Sequence, residues 1–161
     1  MSSAKKIVIL GQFGVGKTSL TRRFVDQAFS EDYLVTLGVQ IKKKTLTLKN
    51  GDELSLIIWD IEGTRSVKDT RASYLLGSQV IIYVFDVTRI ETYENLAEEI
   101  EILKQHNIPI KVLANKSDLA DIKSVLKYVK EHNLDINYFT SAKSGKNVDK
   151  AFNELANELG L

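Results

Sequence analysis

The segment Gly11-Gln12-Phe13-Gly14-Val15-Gly16-Lys17-Thr18 constrains the fold more than any other stretch of the chain. Its glycines let the backbone wrap closely enough for successive amide groups to face one centre, which is how a phosphate is cradled. Such a loop works where a strand delivers it and a helix leaves it, because the helix start adds unpaired N–H groups and the positive end of its dipole. Both flanks comply: Ile7-Val8-Ile9-Leu10 is an unbroken apolar run, and an amphipathic stretch follows over 17–26. A glycine-rich turn with a surface lysine would require neither flank.

The same alternation of short apolar runs and longer amphipathic stretches continues to the end of the chain and predicts an α/β fold with a mostly parallel sheet. Strands are expected over 6–10, 39–49, 53–60, 80–86, 110–115 and 136–140. Helices are expected over 17–26, 90–105, 122–132 and 148–158, with another after Gly63. Asn50-Gly51 favours the positive backbone angles of a tight hairpin, so the second and third strands should be antiparallel. Lys42, Lys43 and Lys44 then read as edge-strand lysines that discourage sheet-to-sheet aggregation rather than as a binding patch. Val148, Phe152, Leu155 and Leu159 form a helical stripe for the core. With 161 residues, one domain spanning 1–161 is expected.

A formal charge of +1 provides no global field to gather nucleic acid or an anionic membrane, so neither is expected as a partner. The chain has no cysteine, which excludes disulfides, thiolate metal sites, thiol nucleophiles, prenylation and palmitoylation. Ser2 excludes myristoylation, and the first apolar run is too short for a signal peptide. The expectation is a cytoplasmic protein with no direct membrane anchor.

The chemistry lies at the strand ends. Lys17 is suited to the β- and γ-phosphates of a nucleotide, and the Thr18 hydroxyl to magnesium. Asn115-Lys116-Ser117-Asp118 closes the fifth apolar run, at the carboxyl end of a strand, where open α/β sheets bind ligands. There Asp118 can accept from the N1–H and 2-amino donors of guanine. Adenine offers an acceptor at N1 and no amino group, so it would leave that carboxylate unpaired. At the end of the third run, Asp60 can hold magnesium and the Gly63 amide can reach a γ-phosphate. Thr36, in the polar loop 30–38, could add a second hydroxyl to the metal.

With these segments in this order, the chain resembles the Ras superfamily of small GTPases, most closely its Rab and Ras branches, from about residue 5 to 159. Tyr33-Leu34-Val35-Thr36-Leu37-Gly38-Val39 looks like the Rab first switch. Trp59-Asp60 and Phe85-Asp86-Val87-Thr88 are also Rab-like, and Thr140-Ser141-Ala142-Lys143 is similar to the last nucleotide motif. The resemblance implies a three-layer G domain of the P-loop NTPase kind, with six strands, one antiparallel edge strand and helices on both faces. It implies GTP or GDP with magnesium, held by Phe13, Gly14, Val15, Gly16, Lys17, Thr18, Ser19, Phe29, Tyr33, Thr36, Gly63, Asn115, Lys116, Asp118, Ser141, Ala142 and Lys143. Within that set the Ala142 amide reads the guanine oxygen, Lys143 lies by the base, and Phe29 and Lys116 pack on it. Thr18, Thr36 and Asp60 would hold the metal, and Lys17, Thr36, Gly63 and Thr64 would serve hydrolysis. An exchange factor, an activating protein and effectors would bind residues 30–40 and 60–77.

The departures fall on the catalytic machinery. Thr64 stands where the family usually has the glutamine that orients the attacking water, Glu62 where alanine is usual, and Phe13 where a small residue is usual. The variable tail with terminal cysteines is not seen, so membrane cycling of the Rab kind is not expected. The expected function is a GTPase switch that hydrolyses slowly. Its alternative is a guanine-nucleotide-binding interaction module with little or no hydrolysis. A phosphate-loop kinase or ATPase would share only the loop, and Asn115 to Asp118 argues against it.

Overall fold

The computed structural model describes residues 2–27 and 38–160. Six strands form one sheet: β1 (Ser2–Gly11), β2 (Val39–Thr47), β3 (Glu53–Ile61), β4 (Ser78–Asp86), β5 (Ile110–Asn115) and β6 (Tyr138–Phe139). Their order is β2-β3-β1-β4-β5-β6, with every pair parallel except β2 with β3. The helices are α1 (Lys17–Asp26), α2 (Ala72–Leu75), α3 (Leu96–Lys104), α4 (Lys123–Glu131) and α5 (Val148–Leu159). This is the mostly parallel α/β sheet with one antiparallel edge strand that the pattern predicts.

Side-chain alternation explains why the apolar runs are continuous. In β1, Ile7 and Ile9 enter one core and Val8 and Leu10 the other; in β4, Val80, Ile82 and Val84 divide from Ile81, Tyr83 and Phe85 in the same way. A strand covered on both faces must be apolar at odd and even positions alike. The first core is closed by α1 and α5, where Phe24 and Phe152 stack with centroids 4.3 Å apart. The second is closed by α2, α3 and α4.

The edge strand β2 is tied down by two of its lysines. Lys42 pairs with Asp26 at 2.7 Å, and Lys44 donates to the Phe24 carbonyl at 2.5 Å while lying over the Phe24 ring. Both contacts pin β2 to α1, so these lysines hold the edge as well as charging it.

Several expected elements are shorter than the pattern suggested. Leu48 and Lys49 leave β2 for the hairpin turn, where the Gly51 amide donates to the Leu48 carbonyl at 2.9 Å. Of 136–140, only Tyr138 and Phe139 pair with β5. The single helix expected over 90–105 is a 3-10 turn at Ile90–Thr92 followed by α3. The Thr92 hydroxyl accepts from the Asp86 amide and contacts the Asp86 and Arg89 carbonyls, turning this segment back onto the end of β4. After Gly63 come a 3-10 turn at Val67–Asp69 and the one-turn α2.

Phe152 is 1% exposed and carries one half of the Phe24 stack. Phe152→Ala is expected to cost about 3–5 kcal/mol through lost burial and the cavity left behind. Urea unfolding should show a lower midpoint at an unchanged slope; a loss below about 1 kcal/mol would mean that the stack adds little to this core.

Candidate functional site

Because β1, β3, β4, β5 and β6 run parallel, their carboxyl ends meet along one edge of the sheet, and the loops leaving them build the site. The phosphate loop leaves β1 at Gly11. Gly16 caps α1 in the left-handed region with φ 102° and, being glycine, offers no side-chain cap to the first turn; the start of such a helix is where anions are bound. A Cβ on Gly16 would strike the Asn115 carboxamide, and one on Gly11 would strike the Val84 carbonyl. Glycine is required at both places by close approach as well as by conformation.

Lys17 is only 6% exposed and folds back over the loop, its Nζ donating to the Gly11 carbonyl at 3.2 Å and the Gln12 carbonyl at 3.0 Å. Burial pulls its pKa from the ordinary lysine range down to about 8, opposed by the negative charge of Asp60. Asp60, at the end of β3 and 1% exposed, accepts from the Thr18 hydroxyl at 2.5 Å. Two hard oxygen donors from separate elements thus meet beside a buried ammonium group. Ser19 follows Thr18 in the first turn of α1, half-buried.

Asn115 binds the site together. Its Nδ2 donates to the Val15 carbonyl at 2.9 Å, and its Oδ1 accepts from the Thr140 hydroxyl at 3.1 Å. Lys116 takes up a left-handed φ of 62° and reaches back, donating to the Gly14 carbonyl at 2.9 Å and pairing with the fully buried Asp86 at 2.9 Å. The Asp86 carboxylate also accepts from the amide and hydroxyl of Thr88. Ser117 bonds the Thr140 carbonyl through both its amide and its hydroxyl. Asp118 is exposed beyond them.

The loop after β6 is shaped by Ser141, whose carbonyl accepts from the Gly145 amide and whose hydroxyl accepts from the Ser144 amide. Arg23 of α1 holds the following carbonyls, with Nε on Ala142 at 2.7 Å and Nη2 on Lys143 at 2.6 Å. Ala142 is buried and Lys143 exposed.

On the opposite side, Gly63 lies so close to the phosphate loop that a Cβ would collide with the backbone of Phe13, and the Thr64 amide donates to the Gly11 carbonyl at 3.4 Å. The Thr64 hydroxyl turns away, donating to the Ser66 carbonyl at 2.8 Å. Glu62 is exposed, its carboxylate accepting from the Gly38 amide at 3.3 Å. The Phe13 ring is 52% exposed, and its carbonyl accepts from Arg89 at 3.0 Å.

A Ras family model matches residues 6–160. The chain belongs to the Ras family. It is 37% identical to Ras-related protein Rab-1 of Theileria annulata over 163 residues, covering 96% of this chain and 73% of that protein. It is 34% identical to Ras-related protein Rab-13 of Mesocricetus auratus, covering 97% and 80%, and 34% identical to Ras-related protein Rab-10 of Diplobatis ommata, covering 96% and 80%.

Of the residues assigned from the sequence, this Ras-family site brings together those of the phosphate loop, Asp60, Gly63, Thr64, the Asn115–Asp118 segment and Ser141–Lys143. Phe29, Tyr33 and Thr36 lie outside the described residues. Pattern reading missed the supports: Arg23, Asp86 as the partner of Lys116, Arg89 on the phosphate loop, and Thr140 as the partner of Asn115. Asp86 and Thr140 stand inside recognised motifs without a role; Arg23 and Arg89 carry no local signal for these contacts, because the backbone carbonyls they hold are remote in sequence, Arg89 also pairing with Glu91 two residues on.

In the ligand-free protein, the Lys17 side chain is expected to titrate near pH 8, read from its ¹⁵Nζ or ¹³Cε NMR shift. Asp60→Asn removes the charge that raises the value and should move the midpoint lower. Since the ammonium form is lost as pH rises through the midpoint, affinity for inorganic pyrophosphate should fall over the same range. A wild-type midpoint in the ordinary lysine range near 10.4 would contradict the burial argument.

Proposed function

We propose that this chain is a guanine-nucleotide switch that binds GTP and GDP with magnesium and hydrolyses GTP slowly to GDP. Membership of the Ras family supports the general activity. The observation that carries the specific reading is the Asn115 side chain, which joins the phosphate loop at Val15 to the base-reading segments at 115–118 and 140–143 in one hydrogen-bonded unit. Phosphate and guanine recognition are thereby set at a fixed separation.

In this reading the amides of Gly14 to Ser19 and the α1 terminus face the phosphates, and Lys17 supplies charge to the β- and γ-phosphates. Asp118 accepts from guanine, the Ala142 amide donates to its oxygen, and Lys116 and Lys143 lie along the base. Thr18 and Asp60 fit magnesium by their hard oxygen donors and their adjacency. In this reading phosphate oxygens complete the oxygen shell of the metal. When bound, magnesium would offset phosphate charge. Thr36 and Phe29 are proposed for the metal and the base by family resemblance, as is Tyr33 for the nucleotide. Exchange factors, an activating protein and effectors would engage 30–40 and 60–77.

Hydrolysis needs a water held in line with the γ-phosphate. The Thr64 hydroxyl is short and bonded to the Ser66 carbonyl, which supports slow unassisted turnover. That same contact favours the second reading, a guanine-nucleotide-binding module that hardly turns over. Glu62 is directed to the Gly38 amide rather than held on the phosphate loop, which removes one source of repulsion for a γ-phosphate.

Guanine selectivity is tested by competition. GTP should displace labelled GDP where ATP does not, and Asp118→Asn should weaken GTP and favour xanthosine nucleotides; equal binding of ATP and GTP by the wild type would sink the reading. Single-turnover assays should give an unassisted rate at or below roughly 10⁻⁴ per second. A gain in Thr64→Gln is expected, whereas fast turnover by the wild type would refute the handicap assigned to Thr64.

A further inference from the structure

Arg23 lies in the last turn of α1, the helix that opens with Lys17 and Thr18, and it is half-buried. Its planar fork spans two successive peptides of the loop after β6: Nε donates to the Ala142 carbonyl at 2.7 Å and Nη2 to the Lys143 carbonyl at 2.6 Å. The stem runs past Gly145, with Cδ 3.8 Å from where a Cβ on that glycine would stand. The peptide that carries the Ala142 amide is held from its other end, because the Ser141 carbonyl accepts from the Gly145 amide at 2.8 Å. Ala142 is thus fixed on both sides, by its own loop before it and by α1 after it. A guanidinium makes two such bonds at little loss of freedom, and its charge makes each stronger than a neutral one.

We propose that Arg23 is a positioning residue for base recognition, which acts through the Ala142 and Lys143 carbonyls to aim the Ala142 amide at the guanine oxygen. The proposal rests on the guanine-nucleotide reading for its ligand, and on geometry for the brace itself. Because α1 begins at the phosphate loop and carries Arg23 near its other end, one helix refers the base side and the phosphate side to the same rigid element. Asn115 joins those sides through the sheet and stops at Thr140; Arg23 takes hold of the two residues beyond Ser141. The helix that bears it is itself held against α5, by the Phe24–Phe152 stack and by Gln27, whose Nε2 donates to Asp149 at 3.1 Å. Hydrogen bonds weaken steeply once misaligned. Loss of the brace therefore weakens the base contact and spares the phosphate contacts, which are made at the far end of α1.

Two variants test this. Arg23→Met removes the guanidinium and keeps an unbranched stem beside Gly145, whereas Arg23→Lys keeps the charge and loses the fork. With labelled GDP and magnesium, Arg23→Met should release nucleotide about tenfold faster than the wild type, and Arg23→Lys should recover part of that loss. Affinity for inorganic pyrophosphate, which has no base, should stay within about twofold in both variants. With pyrophosphate bound in place of nucleotide, amide exchange followed by NMR should quicken at Gly145 in Arg23→Met while Val8 and Ile82 in the sheet are unchanged. GDP release at the wild-type rate in Arg23→Met overturns the proposal. So does a loss of pyrophosphate affinity equal to the loss for GDP, which is the result of a generally loosened fold. If Arg23→Met does not fold, Arg23→Lys decides: faster GDP release with pyrophosphate affinity kept supports the proposal, and unchanged release overturns it. A wild type that holds ADP as tightly as GDP overturns the guanine reading and with it the target of the brace; the brace itself is then judged by Gly145 exchange, which stands if faster in the variant and falls if unchanged.

Discussion

The site depends on one carboxamide. Asn115 ends a central strand, and its two polar atoms are spent on the Val15 carbonyl of the phosphate loop and on Thr140 beyond β6. Gly16 must lack a side chain because this group occupies the space where a Cβ would stand. One amide side chain therefore sets the spacing of the phosphate loop and the loops after β5 and β6, and a buried side chain with both ends satisfied has little freedom to relax.

Around that joint the protein keeps several charges out of water, and each is held by a specific partner. Lys17 lies on loop carbonyls with Asp60 nearby, Asp86 holds Lys116, and Glu99 holds the Ser66–Val67 backbone. Asp60 and Asp86 stand at the ends of two different strands, Lys17 opens α1 beside them, and Glu99 lies on α3 against the loop that leaves β3. A parallel sheet makes this possible, because crossover connections return the chain to the same end each time and strands remote in sequence finish side by side.

The loop after Gly63 is fastened at both ends. Gly63 and Thr64 rest on the phosphate loop, and Ser66 and Val67 rest on α3. Phe13, with its ring half-exposed and its carbonyl taken by Arg89, closes the same corner from the other side. The residues that depart from the pattern the resemblance implies, Phe13, Glu62 and Thr64, lie where the loop after β3 rests on the phosphate loop, while the segments 115–118 and 140–143 keep the expected residues.

The α/β class, the strand order's antiparallel edge, the phosphate-loop motif and the Asn115–Asp118 tetrapeptide at a strand end were legible in the amino-acid string because each is encoded locally. Apolar runs report two-sided burial, Asn50-Gly51 a hairpin, and glycines a backbone that must bend or approach closely. Element ends were less legible: Thr92 interrupts an apparent helix by bonding back to Asp86, a contact that periodicity does not register. The support network was not legible at all. Arg23 to Ala142, Lys116 to Asp86, Arg89 to Phe13 and Glu99 to Val67 join residues far apart in sequence, and a charged residue looks the same in the string whether it faces solvent or is buried against a backbone amide. Residue identity alone determined which chemistry was available; the tertiary structure decided which charges are desolvated and what they hold, because burial and partner are properties of the packed chain and not of any one segment.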